Sequence, residues 1–159
     1  MGILQHLSVA CAGIVLAGTA AAAASCDAGR VDLRGDFGTV RFSTELAITD
    51  AEQARGLMFR ETLGRMASML FVNGDERMLS FWMRNTLIPL DMLFIDEAGT
   101  VVRVHPEAVP LDETPISSGE PALAVLEING GLAEDLGIEP GAVIRSPAMP
   151  QDTAAWPCD

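Results

Sequence analysis

Lysine and tyrosine are missing from this 159-residue chain, and all ten basic residues are arginine. This is a compositional bias that by itself excludes no function. Other absences exclude more. There is no GxGxxG, no P-loop, no HExxH, no GxSxG and no CxxC, so the common nucleotide, zinc-protease, hydrolase and dithiol signatures have no carrier. Histidine occurs twice, as His6 and His105. A transition-metal site built on histidine needs partners that a single downstream histidine cannot supply. No cofactor is therefore expected, and His105, beside Pro106, reads as a solvated loop residue. Positive charge is also scarce. The net charge is −12, which disfavours nucleic acid, whose phosphates need a clustered basic surface. It equally disfavours docking on anionic lipid.

What is present begins with an export segment. Leu7 to Gly18 is apolar but shorter than the roughly 20 residues of a membrane-spanning helix. Thr19 and Ala20 to Ala24 follow, with small side chains at Ala22 and Ala24 as a signal peptidase requires. Cleavage is expected after Ala24, although Met1 to His6 has neither Lys nor Arg. A buried N-terminal helix is the competing reading, but the stretch has no amphipathic period. No later apolar run is long enough for a span. The expected location is periplasmic or secreted. Cys26 and Cys158 then remain near the two ends, and two thiols in an oxidising compartment can form one bridge. Closing so long a loop stabilises by about 4–5 kcal/mol in the chain-entropy model. The alternative, a lipid on Cys26, lacks the bulky aliphatic residue expected three positions earlier.

The rest reads as short strands. Val31 to Arg34 and Thr39 to Ile48 flank Gly35-Asp36-Phe37-Gly38, a hairpin turn between alternating segments. Thr49 and Glu52 form a capping box ahead of a short helix. Met69 to Val72 is a strand, and Asn73-Gly74-Asp75 a turn. In Phe81 to Arg84, Phe81 and Met83 should face the core, and Trp82 and Arg84 the opposite side. Asp91 to Ile95 pairs across Asp96–Gly99 with Thr100 to Val104. Residues 105–121, rich in Pro, read as an irregular connection. Ala122 to Ile128 is a strand, Leu132 to Leu136 a helix stopped by Gly137, and Val143 to Arg145 a last strand. The fold class is mainly β: a single-domain β-sandwich or partly closed barrel with two short helices. The expected organisation is a signal at 1–24, an extension with the first strand at 25–39, a β domain at 40–145 and an extended tail at 146–159.

Several of these residues carry a resemblance. Arg55-Gly56-Leu57-Met58, Met69-Leu70-Phe71, the block Phe81-Trp82-Met83-Arg84-Asn85-Thr86-Leu87-Ile88-Pro89-Leu90-Asp91-Met92, and Val125-Leu126-Glu127 resemble the domain of unknown function 192 family. Ser68 stands where that family usually has glycine. The resemblance implies a compact, mainly β, often exported domain and transfers no activity.

The candidate site is Arg55, Trp82, Arg84, Asn85, Asp91 and Glu127. Asp91 lies between Leu90 and Met92, and Glu127 between Leu126 and Ile128. A carboxylate inside an apolar run is costly unless paired. Arg84 or Arg55 is the expected partner of Asp91. A structural network is one reading. In the other, an arginine left free grips an acidic small molecule, with Trp82 as an apolar wall. The function expected is a non-catalytic binding or interaction module for an unknown small molecule or protein. Two alternatives remain: a hydrolase using Asp91 and Glu127, and a copper protein using Met66, Met69, Met78, Met83 and Met92. The second competes with ordinary core packing of methionine.

Overall fold

The structure, a computed structural model, describes residues 26–158. The expected signal segment and its cleavage site lie outside the described residues. Among the described residues, seven strands form one sheet: β1 (Arg30–Gly35), β2 (Gly38–Ala47), β3 (Ala67–Phe81), β4 (Leu90–Ile95), β5 (Val101–Ala108), β6 (Ile116–Asn129) and β7 (Val143–Arg145). Helix α1 (Asp50–Arg55) follows β2, and α2 (Leu132–Leu136) follows β6. The spatial order is β5-β4-β6-β3-β2-β1-β7, antiparallel except for β2 beside β3. The sheet curls until its two edges touch, where Thr100 bridges Val143 and Val101 exchanges backbone bonds with Gly141 and Ala142. Of the two expected architectures, it is the partly closed barrel.

Both faces of the central strands are covered. All six residues of β4 are buried, which is why that segment, Asp91 apart, is an apolar run and not an alternating one. Leu70, Leu93, Ile95, Leu126 and Ile128 pack on one face with Phe42, Leu132 and Ile138. Met69, Phe71, Leu79, Met92, Phe94 and Val125 pack on the other with Leu57 and Met83. The first hairpin turns at Asp36-Phe37, with Gly35 opposite Gly38. The Thr49–Glu52 capping box is formed. Ser68 sits within β3, its hydroxyl 2.8 Å from that of Thr44.

Two segments differ from expectation. Asn73-Gly74-Asp75 does not reverse the chain. It is a wide bulge inside β3, because β3 advances from Val72 to Arg77 while β6 steps only from Ala124 to Ala122. Residues 105–121 are mostly strand: β5 continues through Ala108 and β6 starts at Ile116. Pro106 is accommodated because β5 is an edge strand. His105 accordingly lies half-buried in β5, not in a loop, and burial lowers its pKa.

A bridge joins Cys26 and Cys158, whose Cα atoms are 5.6 Å apart across 132 residues of sequence. Nearby, the guanidinium carbons of Arg34 and Arg145 lie 4.4 and 4.6 Å from the Trp156 ring centre. The tail is thereby held against the barrel.

Candidate functional site

The β2–α1 junction starts the site. Thr49 caps α1, and Gly56 ends it with φ 48° and ψ −135°, a conformation reserved for glycine. A Cβ on Gly56 would lie 3.1 Å from the Phe71 ring. Absence of that carbon lets the Arg55–Met58 segment descend onto β3. On the opposite side, β3 emerges from its bulge at Arg77 and runs to Phe81. Phe81 stacks edge-on between Phe71 and Phe94, at 5.2 and 6.1 Å between ring centres. An open cleft of about 440 Å³ lies between these walls.

Three arginines line this cleft: Arg55, Arg77 and Arg84. Arg77 is engaged by Asp75 at 2.7 Å and by Asn73 at 3.0 Å. Arg55 and Arg84 have no carboxylate partner among the described residues. The Arg84 guanidinium lies 5.5 Å from the centre of the Trp82 ring, a cation–π contact. At the floor is Glu127. Its side chain stands on the sheet face shared with Met69 and Met92, the residues opposite it on β3 and β4. The residue is 5% exposed, and its carboxyl makes no hydrogen bond or ion pair among the described residues. Burial, with nothing offsetting it, pushes its pKa up to about 8. At neutral pH the floor therefore holds a carboxylic acid able to donate as well as accept.

Asp91 belongs elsewhere. In the β4–β6 ladder Asp91 lies opposite Ile128 while Met92 lies opposite Glu127. Asp91 and Glu127 thus point to opposite faces of the sheet. Asp91 is fully buried and accepts three backbone N–H groups, from Glu107 at 2.8 Å, Gly131 at 2.9 Å and Ala133 at 2.7 Å. It fastens the start of α2 and the end of β5 to β4. The expected pairing of Asp91 with Arg84 or Arg55 does not occur, because main-chain donors already satisfy its acceptors.

The profile of an uncharacterised family, domain of unknown function 192 (uncharacterised ACR), matches residues 32–146. The chain belongs to the domain of unknown function 192 family. No curated protein matches it. Two crystal structures are similar. One, a protein of unknown function from Novosphingobium aromaticivorans DSM 12444, is 50% identical with a TM-score of 0.71, over 72% of this chain and 82% of that one. The other, from Sinorhizobium meliloti 1021 and described as a "putative transcription regulator", is 39% identical with a TM-score of 0.74, over 79% and 98%.

In this domain of unknown function 192 chain, the cleft gathers Arg55, Trp82, Arg84 and Glu127 from the six candidates. Asn85 does not line it. Its backbone has φ 55°, a left-handed geometry that asparagine tolerates. Its carbonyl accepts the Phe59 N–H at 2.8 Å, and its amide lies 3.8 Å from the Met58 sulfur. Asn85 thus ties the loop after β3 to the Arg55–Met58 wall. Met83 is buried and Trp82 is 46% exposed, whereas Phe81 is only half-buried. β3 ends at Phe81, so Trp82 to Arg84 belong to the following loop. The methionines are dispersed: Met69, Met83 and Met92 pack in one cluster, Met66 packs against the other, and Met78 is exposed. Arg77, a third cation of the cleft, was hidden from the sequence because Asn73-Gly74-Asp75 imitates the end of a strand.

Proposed function

We propose that this chain is an exported, non-catalytic binding domain whose cleft takes an acidic small molecule. The observation that carries the reading is the pair Arg55 and Arg84, which line the cleft without a carboxylate partner in a chain of net charge −12. An acidic chain has abundant carboxylates with which to neutralise a guanidinium, as Glu45 does for Arg60 and Asp32 for Arg41. Leaving two arginines free beside Trp82 suits planar, bidentate capture of a ligand carboxylate. The protonated Glu127 below adds a donor that repels no anion. Export is supported by the Cys26–Cys158 bridge, which suits an oxidising compartment, and by the apolar and alanine-rich pattern of residues 7–24. No helix among the described residues is long and apolar enough to cross a membrane.

The rival readings lose support. The hydrolase pair needs two carboxyls flanking one bond, and Asp91 and Glu127 face opposite sides of the sheet. A copper site needs its thioethers gathered, and these five are spread over two clusters and the surface. The regulator description belongs to the Sinorhizobium protein. Here the net charge weighs against binding a phosphate backbone.

The test is calorimetric titration with a panel of small acids, N-acetylglutamate, succinate and benzoate among them. Binding by the wild type, lost in Arg84→Ala and Arg55→Ala with melting temperatures within a few degrees of wild type, supports the reading. Failure of the entire panel, or binding that survives both substitutions, refutes it.

A further inference from the structure

The same cleft contains an unused sheet edge. Along Ala67–Phe71, β3 has β2 on one side and β6 on the other. β2 then ends at Ala47 and the chain turns into α1. Beyond that point, and outside its bulge, β3 pairs on one side only, with β6, from Arg77 to Phe81. The side that β2 vacates is the cleft, lined there by Arg77, Met78, Leu79 and Ser80 and faced by the Arg55–Met58 wall. The Leu79 N–H is turned toward β6, where it donates to the Ser118 hydroxyl at 3.0 Å. Strand alternation therefore directs the N–H groups of Met78 and Ser80 toward the cleft. No proline blocks this edge between Val72 and Phe81, and Arg77, Met78 and Ser80 are exposed. Such an edge is a template for another strand.

We infer that the cleft binds an extended acidic peptide, which adds a strand to the free edge of β3 at Arg77–Phe81 and places its carboxylates on Arg55 and Arg84. The inference rests on reading the cleft as an acid site and specifies the class of acid. Charge selects the occupant. A second copy of this chain pairing edge to edge would bring together two molecules that each carry −12. An acidic peptide meets Arg55 and Arg84, which no carboxylate has claimed, beside an Arg77 already paired with Asp75. Backbone pairing supplies affinity that does not depend on side chains, and the arginines supply the choice of acidic over neutral sequence. Alternate peptide side chains would point to the floor. There Leu57, Phe71 and Leu79 line the cleft together with Glu127, a setting that accepts an apolar side chain ending in one hydrogen-bonding group.

The experiment uses the disulfide-bonded protein and three probes. These are a fluorescein-labelled Glu-Val-Glu-Val-Glu peptide, the same peptide N-methylated at alternate residues in either of the two registers, and N-acetylglutamate. Each lost backbone bond weakens binding several-fold, so N-methylation on the paired edge should reduce affinity by about tenfold or more. Binding of the plain peptide with that loss, and no binding of a Lys-Val-Lys-Val-Lys control, supports strand addition. Equal binding of both Glu peptides in both methylation registers overturns strand addition and leaves the acid site standing. Binding of N-acetylglutamate without either peptide does the same. Silence from all three probes overturns the acid site itself. Sedimentation of the free protein as a dimer that the peptide cannot compete apart would assign the edge to a second copy and overturn the inference.

Discussion

Glu127 concentrates the chemistry of the cleft in one carboxyl. Its pKa of about 8 lies well above the usual glutamate value of 4.5. Between those values the native state keeps a proton that the unfolded chain has lost. The associated stability is fully present below pH 4.5 and is lost as pH rises through about 8. The full change is roughly 3–5 kcal/mol. Glu127→Gln, which preserves shape without ionising, should flatten this dependence and be the more stable protein at pH 9. Urea denaturation of both proteins at pH 5, 7 and 9 measures it, and parallel pH profiles would refute the assignment. Asp91 looks similar in sequence, an acid between apolar neighbours, yet has a different environment. Sequence shows that such a carboxylate needs donors but cannot say whether they are side chains or backbone. Arginine was the visible candidate; the amides of Glu107, Gly131 and Ala133 have no residue-type signature.

The elements that shape the cleft were unequally legible. The β1–β2 hairpin, the α1 cap and the end of α2 at Gly137 could be read directly, because each depends on local chemistry: paired glycines, a Thr–Glu box, a left-handed glycine. The length of β3 could not, since the residues that make its bulge are those that make turns. The Pro-containing halves of β5 and β6 were hidden likewise. Their strand character comes from pairing with distant segments, which overrides local preference. Gly56 links local sequence to the site. It ends α1 in a glycine-only conformation and lets the Arg55–Met58 wall sit on Phe71. Gly56→Ala should destabilise by about 1–3 kcal/mol and weaken ligand binding by displacing Arg55. A thermal melt combined with the acid titration checks both, and an unchanged melt would show that the wall does not depend on this close approach.

For the whole molecule, a curled sheet bridged at Thr100–Val143 and stapled at Cys26–Cys158 carries an open cleft lined by three arginines. The staple ties down a tail that packs Trp156 against Arg34 and Arg145. Replacing both cysteines by serine should lower unfolding free energy by about 2–5 kcal/mol; a denaturant midpoint equal to that of the oxidised wild type would contradict it. Charge is a property of the molecule too. Ten arginines against 22 acidic residues leave a field that repels anions at long range. An acid site in the cleft would have to overcome this locally, through guanidiniums that no carboxylate has claimed. That makes the state of two side chains the most direct readout of the account. In an NMR titration with N-acetylglutamate, the Arg55 and Arg84 side-chain Nε–Hε resonances should move together, saturating with the same midpoint, while Arg41 and Arg60, already paired with Asp32 and Glu45, stay fixed. Unmoved Arg55 and Arg84 signals at saturating acid, or shifts confined to other arginines, would contradict it.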